Sequence, residues 1–123
     1  MFSETVVEER PEMQVRKVSE VEAQEVGAEA PGVVKQVLIG PEEGARNFVL
    51  RRFDVEPGGN TPRHFHEWEH EVYVLAGEGE LICDDGILKL GPDCVVFVPG
   101  GEEHQFRNPG DCTLSFLCII PAQ

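Results

Sequence analysis

Histidines at short spacing are the residues of this chain best suited to chemistry. The chain contains four histidines, and three of them fall within the segment HFHEWEHE. These three are His64, His66 and His70, and the fourth is His104. Imidazole is the commonest side-chain metal ligand near neutral pH, so four converging histidines predict a divalent metal centre. The alternative interpretation is a histidine-rich surface loop among solvated acids.

The spacing of the histidines adds to their number. Side chains two residues apart on an extended strand point to the same face, so His64 and His66 can be directed at one point. His70 has the same parity, although a turn could intervene before it. The elements that position these residues must therefore bring a strand near residue 64 against the distant segment around His104.

Length and charge exclude several classes of function. A chain of 123 residues forms one domain with its own core. Ten basic against 23 acidic residues give a net charge of -13, which repels nucleic acid and anionic membrane surfaces. The start, MFSETVVEER, is acidic where a secretory signal is basic and then apolar, and no apolar run approaches the ~20 residues of a membrane span. We therefore expect a soluble, cytoplasmic protein.

The cysteines do not indicate a metal or redox motif. Cys83, Cys94, Cys112 and Cys118 have no CxxC spacing, which argues against zinc-ribbon and thioredoxin-like sites. In a reducing compartment we expect them to be free thiols packed in strands.

Short apolar runs between glycine and proline turns predict an all-β chain. The predicted strands are 34–39, 47–55, 63–66, 71–76, 80–83, 87–90, 94–98, 104–107 and 113–120. Asp85-Gly86 predicts a two-residue type I′ hairpin turn, and 19–26 is the only predicted helix, from the capping-box spacing at its start. This many short strands favour a double-sheet jelly roll with an interior that can hold a site.

Two motifs around the histidines resemble those of the cupin superfamily. The first family motif is Gly, five residues, His-x-His, three or four residues, Glu, six residues, Gly; the matching positions are Gly58, His64, His66 and Gly77. The second contains Pro-x-Gly-x-x-His-x-x-x-Asn; the matching positions are Pro99, Gly101, His104 and Asn108. The resemblance implies a single-domain cupin barrel, a double-stranded β-helix, over residues 34–123, with residues 1–33 as an N-terminal arm.

One position departs from the cupin pattern. The usual third ligand is a glutamate seven residues before the closing glycine, and that count back from Gly77 reaches His70. Glu71 fits only the count forward from His66. Strand alternation allows one of the two to face inward, and we favour His70 because the strand leading to Gly77 is the rigid part of the frame. Glu71 should then lie outside the ligand set.

With His70 as a ligand, the chain resembles small cupins that hold their metal with four histidines. That resemblance implies Mn²⁺, with Fe²⁺, Ni²⁺, Cu²⁺ or Zn²⁺ as alternatives, and oxidation by dioxygen or peroxide. Four neutral imidazoles leave the dipositive charge of the metal uncompensated, which makes the centre more electrophilic. An octahedral metal would keep two positions open for a substrate and an oxidant.

Strand parity predicts further residues inside the barrel. Leu114, Phe116, Cys118 and Ile120 form one uniformly apolar set, which we place inside. Arg51 shares its parity with apolar neighbours and should also point inward, where it could act on an oxygenated substrate. We therefore name Arg51 and Cys118 as candidate catalytic residues, against the alternatives of a surface arginine and an inert buried thiol.

Three aromatic residues are candidates for substrate binding. They are Trp68, which lies between two predicted ligands, Phe106, which shares a face with His104, and Phe116. Trp68 would either roof the pocket or cover the rim of the barrel. Core packing is the alternative interpretation for Phe106.

We predict a metal-dependent, dioxygenase-like oxidoreductase acting on a small-molecule substrate. The alternatives are a non-catalytic ligand-binding or metal-binding module, because a fold does not dictate function, and a metal-dependent isomerase or epimerase. The isomerase is disfavoured because few general bases remain once a carboxylate ligand is missing. We also predict a homodimer in which the arm ahead of Val34 pairs with the partner's sheet, because residues 13–18 alternate like a strand.

Overall fold

The computed structural model describes residues 11–123, and nine strands dominate it. The strands are β1 (Gln24–Glu25), β2 (Val33–Ile39), β3 (Phe48–Val55), β4 (His70–Ala76), β5 (Gly79–Cys83), β6 (Gly86–Leu90), β7 (Val95–Val98), β8 (His104–Arg107) and β9 (Leu114–Pro121). Two short 3-10 helices, Val18–Glu20 and Pro41–Glu43, complete the described elements. The all-β prediction is confirmed.

Two antiparallel sheets enclose the core. The larger sheet has the order β1-β2-β3-β9-β4-β7, and the smaller has the order β6-β5-β8. The segment before β4 runs beside β8 through two isolated bridges, Asn60 to Arg107 and His64 to His104. The smaller sheet therefore extends toward the start of β4, which brings the histidines of both motifs to one end of the barrel.

The 80–90 hairpin forms with the predicted strands but with a different turn. Cys83 pairs with Gly86, so Asp84 and Asp85 are the two turn residues. A type I′ turn needs positive φ at both central positions, whereas Asp93 is the only non-glycine residue of 11–123 with positive φ. Gly86, with φ of 127°, instead begins β6. The type I′ prediction was wrong because the glycine follows the turn.

The predicted helix at 19–26 was also wrong. Only the 3-10 turn Val18–Glu20 forms, and Gln24–Glu25 becomes β1 against β2. The Gln36 side-chain amide donates to the carbonyls of Val18 and Val21 at 2.8 and 2.9 Å. Because tertiary contacts satisfy these backbone groups, the segment does not need helical hydrogen bonds.

The predicted strand 63–66 is reduced to a single bridge at His64. The backbone of His64 pairs with His104, but the carbonyl of His66 accepts from Gly101 N at 2.6 Å. The segment thus changes partner within two residues, so it cannot continue as a regular ladder. This change of direction turns the segment toward the start of β4.

The buried core lies between the sheets, and one polar side chain is fully enclosed in it. The largest fully buried side chains are Phe116, Leu114, Val55, Val74 and Asn108. The Asn108 amide donates to the carbonyls of Val55 and Cys112, both at 2.8 Å, and its Oδ1 accepts from Gly110 N at 3.0 Å. A buried polar group is tolerated when it is satisfied in this way.

Asn108→Ala is expected to lower the free energy of unfolding by about 2 kcal/mol, because it leaves three backbone groups without their partner. Urea denaturation would measure the change. Asn47→Ala is the matched control, since Asn47 is exposed and surface substitutions of this kind change stability by less than about 0.5 kcal/mol. Equal stability of the two variants would contradict a structural role for the Asn108 amide.

The cysteines, the N-terminal arm and the helices can each be compared with the sequence predictions. Cys83, Cys94, Cys112 and Cys118 are all free thiols, as predicted, but only Cys83 and Cys118 lie in strands; Cys94 precedes β7, and Cys112 is exposed in the loop before β9. Residues 1–10 of the predicted arm lie outside the described residues, and Gln24–Glu25 of that arm joins the large sheet. None of the helices within residues 11–123 has the length and apolar character needed to cross a membrane.

Candidate metal centre

The four histidines reach one end of the barrel from three segments. His70 and His104 are the first residues of β4 and β8. His64 is joined to His104 by two backbone hydrogen bonds, of 3.2 and 2.9 Å. His66 follows where the chain turns toward Gly101. Backbone pairing thus fixes the relative positions of residues that are up to forty apart in sequence.

The imidazole rings surround a common space. The centroid separations are 4.4 Å for His64–His66, 5.3 Å for His64–His104, 5.3 Å for His66–His70, 6.3 Å for His66–His104 and 5.1 Å for His70–His104. Glu71 is exposed, because it alternates with the buried His70 on β4. The structure therefore brings the four predicted histidines together and leaves Glu71 outside the cluster.

Hydrogen bonding leaves one nitrogen of each buried histidine available. His104 Nδ1 lies 2.9 Å from the carbonyl of Glu102; a carbonyl only accepts, so this nitrogen carries the proton and Nε2 keeps its lone pair. His70 Nδ1 lies 3.6 Å from Cys118 Sγ. His70 Nε2 is buried and has no hydrogen-bond partner among the described residues. Buried polar atoms rarely lack a partner, and one that does requires an explanation.

The surroundings favour neutral imidazoles. Burial lowers the pKa of His70 to about 3, and the charges of His104 and Arg51 contribute in the same direction. The pKa values of His64 and His66 are also lowered, first by burial and then by neighbouring positive groups. Neutral imidazoles expose the lone pairs that a metal ion requires.

The residues present suit a divalent metal. Among residues 11–123, no group of three or more His, Cys, Asp or Glu side chains is arranged so that it could hold a metal ion as it stands. The clustered rings and the orphaned His70 Nε2 nevertheless form a set of neutral nitrogen donors around one space. Imidazole ligands suit Fe, Ni, Cu and Zn, and Mn²⁺ is the metal that the resemblance stated above implies. The chemistry of the donors is thus consistent with a metal centre.

A cavity of about 170 Å³ opens beside the histidines. The described residues that line it are Val26, Val33, Lys35, Arg51, Phe53, Thr61, Pro62, His64, His66, His70, His104, Phe106, Phe116 and Cys118. Four of the five further site residues named from the sequence therefore face this space. The exception is Trp68, whose ring stacks on His66 at a centroid distance of 4.6 Å and does not line the cavity.

Arg51 and Cys118 contact each other in the wall of the cavity. They are paired in register on β3 and β9, and Arg51 Nη2 lies 3.0 Å from Cys118 Sγ. Burial raises the pKa of the Cys118 thiol, although Arg51 acts in the opposite direction. The thiol thus bridges the guanidinium of Arg51 and the ring of His70.

Stacked phenylalanines form part of the cavity wall. The ring centroids of Phe106 and Phe116 are 4.7 Å apart, and those of Phe53 and Phe116 are 5.4 Å apart. Phe106 and Phe116 therefore serve both core packing and the cavity wall.

Sequence reasoning missed two polar residues of the wall. Lys35 lines the cavity together with Val33. Because the two residues are two apart on β2, they point to the same face of the strand, and this alternation could have placed Lys35 inside the barrel. Thr61 gave no local signal. Its hydroxyl accepts from Phe106 N at 2.8 Å, a contact between segments that lie 45 residues apart.

A comparison with known families identifies the chain. The model of the family described as the cupin domain matches residues 51–120, which include all four histidines. The chain belongs to the cupin family. The resemblance stated from the two motifs is thereby confirmed at the level of the superfamily, and the two-sheet barrel is the cupin barrel.

The proteins similar to this chain have diverse names. The polyketide cyclase RemF from Streptomyces resistomycificus has a structure with a TM-score of 0.86 and 37% identity, over 91% of this chain and 81% of that one. The 1-methylthio-D-xylulose 5-phosphate methylsulfurylase of Rhodospirillum rubrum is 38% identical over 60% of this chain and 47% of its own length. The oxalate-binding protein of Thermotoga maritima is 38% identical over 58% of this chain and 60% of its own.

Proposed function

We propose that this cupin binds one divalent metal through His64, His66, His70 and His104, with Mn²⁺ as the first candidate. The observation that carries the proposal is the buried Nε2 of His70, which has no hydrogen-bond partner among residues 11–123 and belongs to a ring whose centroid lies 5.3 Å from that of His66 and 5.1 Å from that of His104. Structural zinc sites are usually built with cysteine, whereas this site contains four histidines beside an open cavity. That arrangement favours a metal with an open coordination position, at which a substrate in the cavity can bind.

We further propose that the protein is a dioxygenase-like oxidoreductase that uses dioxygen or peroxide to oxidise a small organic substrate. A bound divalent metal would supply an electrophilic, redox-capable centre. The stacked phenylalanines would exclude water from the reacting end of the substrate. The guanidinium of Arg51 would orient the substrate through donated hydrogen bonds, and the thiol of Cys118 would hold a proton beside His70.

Metal analysis followed by oxygen uptake tests this function. Protein produced in unsupplemented medium is expected to contain one metal per chain, and the metal-loaded protein should consume oxygen with a member of a panel of alkenes, diketones and small acids. His104→Ala is the control, because it should lose both the metal and oxygen uptake. If the protein still contained no metal after equilibration with excess Mn²⁺, Fe²⁺ and Zn²⁺, the metal centre would be refuted.

A second candidate is metal-assisted carbonyl chemistry without oxidation. It is favoured by the likeness to a polyketide cyclase over 91% of this chain. The described cavity lining contains no carboxylate, so a lining group other than a carboxylate, or water, would have to accept the proton. Product formation from a diketone under strict exclusion of oxygen would support this candidate against the oxidase, and strict dependence on oxygen would reject it.

We also propose that the protein is a homodimer. The outer face of the large sheet exposes Tyr73, Val95, Phe97 and Ile119, with Val95 74% and Phe97 59% exposed. In the arm, Met13 and Val15 extend fully into solvent, while Arg16 is anchored to the Leu38 carbonyl at 2.6 Å. Extended exposed apolar surfaces of this kind are typical of interaction sites.

The mass of the protein in solution tests the proposed homodimer. Light scattering should give twice the chain mass of 13.6 kDa, and Val95→Asp with Phe97→Asp should give the monomer mass because buried charge opposes association. Ile87→Asp with Leu88→Asp is the matched control on the small sheet, where the exposed fractions are 53% and 57%. Deleting residues 1–18 should also weaken the dimer. A monomeric wild type, unchanged by the deletion, would refute the proposal.

A further inference from the structure

The cavity is positively charged in a strongly acidic protein. Lys35 and Arg51 line it, and no Asp or Glu of the described residues does so. The chain as a whole has 23 acidic and 10 basic residues. The local excess of positive charge therefore runs against the composition of the chain, and it faces the space where a ligand would bind.

Arg51 differs from the four arginines that form salt bridges among residues 11–123. The salt bridges are Arg16–Glu43, Arg52–Asp54, Arg63–Glu103 and Arg107–Glu80. Arg51 has no carboxylate partner among residues 11–123; it contacts Cys118 and lies with its guanidinium carbon 5.0 Å from the Phe53 ring centroid. Its Nε is buried and has no hydrogen-bond partner within the same range. A buried N–H group without a partner is costly, so a bound acceptor would stabilise it.

Lys35 lies beside Arg51 on the neighbouring strand. Lys35 pairs with Phe53, and Val37 pairs with Arg51, so the two basic residues are diagonal neighbours on β2 and β3. Diagonal neighbours in an antiparallel pair are about 7–8 Å apart, a span that one oxyanion can bridge through two long side chains. No described carboxylate lies within salt-bridge distance of Lys35 either. Both cations border the same cavity as the four histidines.

We propose that Arg51 and Lys35 form an anion subsite, and that the substrate is a small organic oxyanion, a carboxylate or a phosphate ester. The planar guanidinium binds such groups through two parallel hydrogen bonds. The cavity of about 170 Å³ is below the roughly 300–1,000 Å³ of sites for drug-sized ligands, so the substrate is small. Its opposite end would face the histidines. That orientation rests on the proposed function, whereas anion binding itself does not require the metal.

Ligand-observed NMR titration of the metal-loaded protein tests the subsite with matched probes. The probes are butyrate, its neutral isostere butyramide, and propyl phosphate. Butyrate or propyl phosphate should bind at least about 10-fold more tightly than butyramide, because a charge-assisted hydrogen bond is stronger than a neutral one. A preference for butyrate identifies a carboxylate substrate, and a preference for propyl phosphate identifies a phosphate ester.

The variants assign this binding to the two residues. Arg51→Met and Lys35→Met should each weaken binding of the anion about 10-fold or more, while Lys89→Met, an exposed lysine on β6, should not change it. Arg51→Lys should recover part of the affinity, which separates charge from packing if Arg51→Met is poorly folded. Equal binding of butyrate and butyramide, absence of binding by every probe, or an unchanged affinity in Arg51→Met would overturn the subsite.

The metal content of each variant distinguishes a failure of the anion subsite from a failure of the proposed metal centre. Arg51→Met and Lys35→Met should retain wild-type metal, because neither residue belongs to the histidine cluster. A metal-loaded protein without anion selectivity would overturn the subsite alone. Anion selectivity in a protein that binds no metal would overturn the proposed metal centre and leave the subsite intact.

Discussion

His70→Ala is expected to lower the affinity for a divalent metal by at least about 100-fold. Outer-sphere partners of metal ligands already contribute about 10–100-fold to affinity, and we propose His70 as a direct ligand. Its ring is 5% exposed and lies within 5.3 Å of the rings of His66 and His104. Competition with a fluorescent chelator would measure the affinity of the wild type and the variant.

Glu71→Ala is the control for this prediction. Glu71 is adjacent to His70 in the sequence but exposed on the outer face of β4, so its removal should change the metal affinity by less than about 3-fold. The opposite result, with Glu71→Ala losing the metal and His70→Ala retaining it, would show that a carboxylate replaces the fourth histidine. Circular dichroism of both variants would verify that the fold is retained.

The position of His70 shows what the sequence can predict. Alternation on a strand places side chains by parity alone, so the counts from His66 and Gly77 reduce the choice of inward-facing residue at the start of β4 to His70 or Glu71. The same rule placed Arg51 and Cys118 on the cavity side, and both line the cavity. Parity succeeds here because β4, β3 and β9 are regular over the residues concerned.

The errors at 63–66 and 19–26 occur where tertiary contacts replace local rules. The segment 63–66 carries two histidines and reads as a strand, yet its hydrogen bonds are divided between His104 and Gly101. The 19–26 segment has a helix start signal, but Gln36 and the edge of β2 supply its partners. Trp68 lies between two histidines in the sequence, but whether it stacks on His66 or enters the cavity depends on the path of that irregular segment.

The low pKa of His70 predicts a specific acid sensitivity in the metal-free protein. An unfolded histidine titrates near 6.5, whereas burial lowers the pKa of His70 to about 3 in the folded state. Between these values the unfolded chain binds a proton that the folded chain does not, so stability falls as the pH falls. The contribution of His70 is fully present above pH 6.5, decreases below it, and is lost completely near pH 3. One pKa unit corresponds to about 1.4 kcal/mol.

Comparison with His70→Leu isolates this effect from the other titrating groups. Between pH 7 and 4.5, the free energy of unfolding of the metal-free wild type should fall by roughly 2–3 kcal/mol more than that of His70→Leu. The 23 acidic residues are common to both proteins, so their protonation largely cancels in the difference. Urea denaturation at several pH values in the presence of a chelator would measure it. Parallel curves would mean that His70 is readily protonated in the folded state, which is incompatible with a buried neutral imidazole poised to bind a metal.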